Sequence, residues 1–321
     1  MDRKISDKLK QAIKVVLSLS LIIYVIYSAG PYKILAQLKG VILYLFMITV
    51  LLGVFRIAIS AKKWQILLQA KKIHVDYLDV LKLYYIGNFF NMFLPTNVGG
   101  DVIKAHKMSK RAEKKVEAYS SVFMERFVGV IALLSLTIVS SIIYFQNLPK
   151  VILILIFAVI LPTVLIGTIL MFNTTAANKF ERFLHRILGT HNPFSIKEKL
   201  TKLYRSILEY RYKKKALLLS LIISFIFHTI LVVTNYILAL SLNFYVPIQY
   251  FFIFVPLTSM ILFLPISIRG FGAREALYMF FFATVGVSAS QAVSLSFLVQ
   301  LLSIIGSLLG GFIYLFSKEK I

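Results

Sequence analysis

The chain has 321 residues, 59% of them hydrophobic, a formal net charge of +23 and no cysteine. A water-soluble domain is usually about 45–50% apolar, so lipid must cover much of this surface, and at roughly 20 residues per span there is room for about seven to nine membrane segments. Without cysteine there is no disulfide, thiolate nucleophile or thiolate metal site, and the five histidines (74, 106, 185, 191 and 228) show no metal-ligand spacing, so no cofactor or metal is expected.

Apolar runs lie near 11–29, 41–60, 127–145, 151–172, 216–242 and 292–316. The first is too long for the apolar core of a signal peptide and reads as a retained span. Two further stretches, 83–95 and 250–288, are apolar but broken by Pro, Gly and polar residues. Basic residues cluster at 1–10, 61–82, 104–115 and 173–215, whereas the loops at 30–40, 146–150 and 242–249 are nearly free of them. The positive-inside rule puts the basic segments and both termini in the cytoplasm. That placement also accounts for the net charge without nucleic acid, which is not expected as a partner.

The count has a structural consequence. Segments 61–82 and 104–115 are both basic, so the stretch between them must enter the membrane and return. Pro95 and Gly99-Gly100 forbid a continuous helix there. The stretch 250–288 should likewise begin and end outside. The two break points read alike: Phe93-Leu94-Pro95 followed by Gly99-Gly100-Asp101, and Phe263-Leu264-Pro265 followed by Arg269-Gly270-Phe271-Gly272. Two discontinuous segments entering from opposite sides are the mark of an inverted-repeat transporter with a site near the bilayer midplane. The expected fold is therefore all-α, a polytopic transmembrane helical bundle forming one domain over 1–321. Within it, 173–215 is a cytoplasmic basic segment whose amphipathic stretches at 180–188 and 196–212 are expected to lie on anionic lipid.

Charges inside a membrane are functional candidates. Asp101 follows the first break and reads either as a carboxylate at a cavity mouth or as the N-cap of a helix starting at Val102. Asn88, Asn91 and Asn97 flank that break and read as ligand contacts or as partners for backbone groups freed by Pro95. Glu125 and Arg126 are adjacent, point about 100° apart on a helix and should each seek a partner elsewhere. Around the second break, Gly270 and Gly272 would let backbone amides approach an anion, and Arg269 and Arg274 would grip a phosphate, with Glu275 beside them. The alternative is that Arg274 or Glu275 forms an ion pair with Asp101 or Arg56. Arg56 and Trp64 read as interface anchors, His228 and Asn235 as inter-helix hydrogen-bonding groups, and Gly306-x-x-x-Gly310 as a close-packing motif.

The run NFFNMFLPTNVGGDVIKAHKM, the ERFVGV at 125–130, the Arg56…Trp64 pair and PISIRGFGAREA together resemble the membrane domain of the lysylphosphatidylglycerol synthase/flippase family, in order and over essentially the whole chain. The resemblance implies translocation of an aminoacylated phosphatidylglycerol, with no lysyl transfer, because the family's soluble transferase domain has no counterpart here. Lys104 stands where the family often has Arg, and Arg269 where a small residue is usual. Some family members are tied to polyprenyl-linked glycans, which leaves the head group open.

The leading expectation is a non-enzymatic flippase for an anionic or aminoacylated phospholipid in a bacterial or archaeal cytoplasmic membrane. Its substrate site would comprise Asn88, Asn91, Pro95, Asn97, Gly99, Gly100, Asp101, Lys104, Glu125, Arg126, Arg269, Gly270, Gly272, Arg274 and Glu275. Arg269, Arg274 and Lys104 would meet phosphate, and Asp101, Glu125 or Glu275 would meet a cationic aminoacyl group. The alternatives are an aminoacyl- or glycosyl-transfer enzyme acting on lipid, and a scaffold for a lipid-synthesis enzyme docked on 173–215. No GxSxG, Walker sequence or zinc-ligand pair supports the former.

Overall fold

The computed structural model describes residues 19–93, 99–144, 150, 153, 158, 161–173, 194–263, 267 and 270–317. Among them there is no strand. The helices are α1 (Leu19–Ala29), α2 (Pro31–Lys39), α3 (Leu43–Ala70), α4 (Tyr77–Phe93), α5 (Gly99–Ala112), α6 (Lys115–Ile143), α7 (Leu161–Phe172), α8 (Phe194–Leu208, continued by a 3-10 turn at Glu209–Tyr212), α9 (Lys214–Ser241), α10 (Ile248–Ile261), α11 (Ala273–Ala283) and α12 (Ala289–Phe316). Four of these, α3, α6, α9 and α12, are long and apolar enough to cross a membrane, and α1 with α2, bent by 79°, would make a fifth. The bend falls at Gly30, whose φ of +82° and the following Pro31 break the helix. The first predicted span begins among residues outside the described set, as does most of 151–160.

The chain divides into two compact units that interleave along the sequence. The first comprises Met1–Ala58, Tyr84–Asp101 and Phe227–Ile321; the second comprises Ile59–Leu83 and Val102–Ile226.

In the first unit, Val25, Ala29 and Ile34 of α1 and α2 pack on Val293 of α12. A capping box starts α12: Ser288 accepts from the Gln291 backbone amide, and the Gln291 side chain accepts from the Ser288 amide. Two of the three loops poor in basic residues touch here. The Ile42 amide donates to the Ser241 carbonyl at 2.8 Å, and the Asn243 side chain donates to the Gly40 carbonyl at 2.9 Å.

In the second unit the three basic loop segments converge. Lys71 pairs with Glu209, Arg111 with Asp79, and Lys114 donates to the Lys72 carbonyl. Segments the charge count assigns to one side of the membrane are thus in mutual contact. Trp64, expected as an interface anchor, is instead wholly buried, with its indole N–H donating to Ser121 Oγ at 3.0 Å. Likewise α8 does not reserve its apolar side for lipid. It packs on α6, with Ser206, Ile207 and Tyr210 buried, because a protein groove covers that face. The amphipathic stretch at 180–188 lies outside the described residues.

Both broken stretches double back as helical hairpins. In the first, a Cβ on Gly100 of α5 would sit 1.8 Å from the Gly87 carbonyl oxygen of α4, so the two helices meet backbone to backbone. At the far end, Asp79 of α4 meets Arg111 of α5. In the second, Phe254 of α10 stacks on Phe281 of α11 at 5.7 Å, and Phe251 contacts Phe282 at 5.0 Å. Nearer the turn, Leu262 lies against Gly270.

Candidate functional site

A cavity of about 240 Å³ lies wholly within the first unit. Arg56 comes to it from α3, Asn88 and Asn91 from α4, Thr234 from α9, Arg274 from α11, and Ser303 and Ser307 from α12. Close packing brings these elements together. A Cβ on Gly310 would lie 2.0 Å from the Tyr85 carbonyl oxygen, one on Gly311 would strike the Phe89 ring, and Gly306 faces Ile57. Gly310 and Gly311 therefore let α12 approach the backbone of α4, while Gly306 lets the same helix lie against α3.

The lining carries two guanidinium groups and no carboxylate. Arg56 and Arg274 act on each other as like charges. Neither forms an ion pair among the described residues: Arg56 lies over the Phe227 ring at 5.1 Å, and Arg274 donates through Nη1 to Gln300 Oε1. A partly buried positive pair held this way can take an anion, and arginine forks suit phosphate or carboxylate oxygens. Asn91 also shapes the site, because its Oδ1 accepts the Gly100 amide at 2.7 Å and fixes the start of α5.

Next to Arg274 a buried polar seam runs along α12. Glu275 is 1% exposed and its Oε1 accepts from Ser296 at 3.0 Å, while Oε2 has no hydrogen-bond partner among the described residues. The Gln300 amide nitrogen is likewise without one. Asn235 accepts from the Tyr278 hydroxyl at 2.6 Å, an inter-helix bond of the kind expected for it.

The remaining predicted residues fall as follows. Gly99 starts α5, and Asp101 is buried in that helix's first turn rather than capping it, since the helix begins three residues before Val102. A carboxylate there complements the helix N-terminus. Gly270 and Gly272 have φ of +81° and +77°, and their carbonyls accept the Arg274 and Ala276 amides that open α11. Lys104 and Glu125 meet in the second unit, paired at 2.7 Å and both nearly inaccessible. The Lys104 ammonium also lies 4.9 Å from the Trp64 ring centroid, and Lys63 donates to the Glu125 carbonyl. Arg126 follows, half-buried on α6. Pro95, Asn97 and Arg269 lie outside the described residues.

The profile of one protein family, described as the lysylphosphatidylglycerol synthase TM region, matches residues 11–311. The chain belongs to that family. It is accordingly a multi-pass membrane protein of a family concerned with membrane lipid. It is also similar to the UPF0104 membrane protein PH1989 of Pyrococcus horikoshii, with 22% identity over 97% of this chain and 98% of that protein. No solved structure matches it.

Reading the sequence for charges and breaks finds Arg274, Asn88 and Asn91 but undervalues Arg56, which its position near a basic loop makes look like an anchor. It omits Thr234, Gln300, Ser303 and Ser307. The α12 group was open to view: Ser296, Gln300, Ser303 and Ser307 recur every three or four residues, the period of one helix face.

Proposed function

We propose that this protein translocates an anionic phospholipid across the cytoplasmic membrane, both termini lying in the cytoplasm, without nucleotide hydrolysis. The observation that carries the reading is the Arg56–Arg274 pair lining one cavity with no carboxylate among the lining residues. A membrane-embedded cavity with that charge is suited to a lipid phosphate, the acyl tails staying in the bilayer. The family description and the two intramembrane hairpins support the same reading. Asn88 and Asn91, which also line the cavity, carry amide N–H groups that can serve as further donors to phosphate oxygens. A cationic aminoacyl extension would find its counter-charge in Glu275, which is buried beside Arg274 and outside the lining, and whose second oxygen is unpartnered among the described residues.

The test is a dithionite-quenching assay in liposomes with fluorescent phosphatidylglycerol, run in parallel with a lysylated form and a polyprenyl phosphate. Arg274→Gln and Arg56→Gln should each slow translocation by about tenfold or more, the size expected from losing one charge-assisted contact. Glu275→Gln should slow the lysylated lipid more than phosphatidylglycerol. Wild-type rates from both arginine variants would overturn the site.

A further inference from the structure

A second cavity, of about 290 Å³, lies wholly within the second unit and is built quite differently. Two spanning helices form it with matching stripes. On α6 they are Met124, Phe127, Val128 and Ile131; on α9 they are Lys214, Leu217, Leu218 and Leu221. Each set has the spacing i, i+3, i+4, i+7, so each is one continuous helix face about 10 Å long. Thr168 of α7 completes the wall, and its hydroxyl is directed to the Leu165 carbonyl at 2.9 Å. Apart from Lys214 and that hydroxyl the lining side chains are apolar, with little to hold water.

We propose that this groove holds one acyl chain of an anionic phospholipid, bound in place rather than transported. Two observations select that occupant. The first is shape and lining: a cavity of about 290 Å³ between two apolar helix stripes about 10 Å long matches a run of methylene groups. The second is charge. The groove starts at Lys214, the first residue of α9, inside the run Lys213-Lys214-Lys215. All three are exposed, and none of their ammonium groups makes a hydrogen bond or ion pair among the described residues. Lysines at the end of a spanning helix stand at head-group depth and attract anionic lipid. A phosphate on the lysines therefore positions the chain to run down the Leu217–Leu218–Leu221 stripe. The proposal is independent of the transport site, whose residues are all in the other unit.

The experiment is native mass spectrometry of the full chain released from nanodiscs of equal phosphatidylglycerol and phosphatidylcholine. Wild type should retain phosphatidylglycerol in preference. Replacing Lys213, Lys214 and Lys215 together by Gln should cut that retention by about tenfold and leave the phosphatidylcholine level unchanged. Leu218→Trp, which fills the groove from an exposed position, should lower retention with all three lysines present. No preference in wild type, or unchanged retention in the lysine variant, overturns the proposal. So does a dimer that Leu218→Trp dissociates with no loss of lipid, which would give the groove to a second copy. The Lys213, Lys214 and Lys215 variant should translocate lipid in the dithionite assay like wild type, because none of the three lines the transport cavity, so failure here and failure of the transport reading are distinguishable.

Discussion

Lys104 and Glu125 lie 2.7 Å apart with side chains only 3% and 4% accessible, so each charge depends on the other for its solvation. Removing one partner strands the second, which costs about 3–5 kcal/mol, whereas replacing both by apolar groups of similar volume is close to neutral. Lys104→Met should therefore sharply lower the melting temperature of the detergent-solubilised protein, and adding Glu125→Leu should restore most of it. Additive losses would show that the pair does not act as a unit. Gly100 gives a second expectation. A methyl group there would collide with the Gly87 carbonyl, a backbone atom that cannot step aside, so Gly100→Ala should fail to yield folded protein. Ordinary yield and melting behaviour of that variant would mean the α4–α5 contact can open.

Among the elements, the 3-10 turn after α8 shows how a polar connection becomes core. Tyr210 is fully buried against Leu67, Met124 and Val128, its hydroxyl donates to the Leu67 carbonyl at 2.9 Å, and the Lys71 ammonium sits 4.8 Å from its ring centroid. Burial first, and the Glu209 carboxylate second, push its phenol far above the ordinary tyrosine range near 10. Above pH about 10 the unfolded chain would release this proton while the folded chain keeps it. The folded state then binds more protons, so stability falls as pH rises. Tyr210→Phe should cost about 1 kcal/mol near neutrality, the usual net worth of one hydrogen bond, and should flatten the decline in melting temperature between pH 9 and 11. An equally steep decline in the variant would mean that Tyr210 is accessible.

For the whole molecule, the contacts among basic segments and the contact between two of the loops poor in basic residues agree with one topology. Because the chain has no cysteine, single cysteines can report it directly. Cysteines at Lys72, Lys110 and Lys213 should react with an impermeant maleimide only from the cytoplasmic side, and one at Tyr245 only from the outside. Labelling of position 110 from the opposite side to position 72 would mean that α4 and α5 together cross the bilayer rather than return.

The amino-acid sequence alone was enough for the helical membrane class, the long spans and the two interruptions. Each rests on a local property: apolar length, loop charge, or a Pro followed within a few residues by a pair of glycines. The period of α12 was just as local and would have exposed Ser296, Gln300, Ser303 and Ser307. Partner choice was not legible. Nothing in the sequence distinguishes Arg274, turned to a neutral amide and left facing a cavity, from Lys104, neutralised by a carboxylate 21 residues away. Both are basic residues just after a break. Arg56 and Trp64, eight residues apart on one helix, divide between cavity and core only because α4 and α12 close against α3 at one and Ser121 of α6 meets the other. Whether a buried charge is silent or available depends on which distant side chain folds against it, and that is set by tertiary contact.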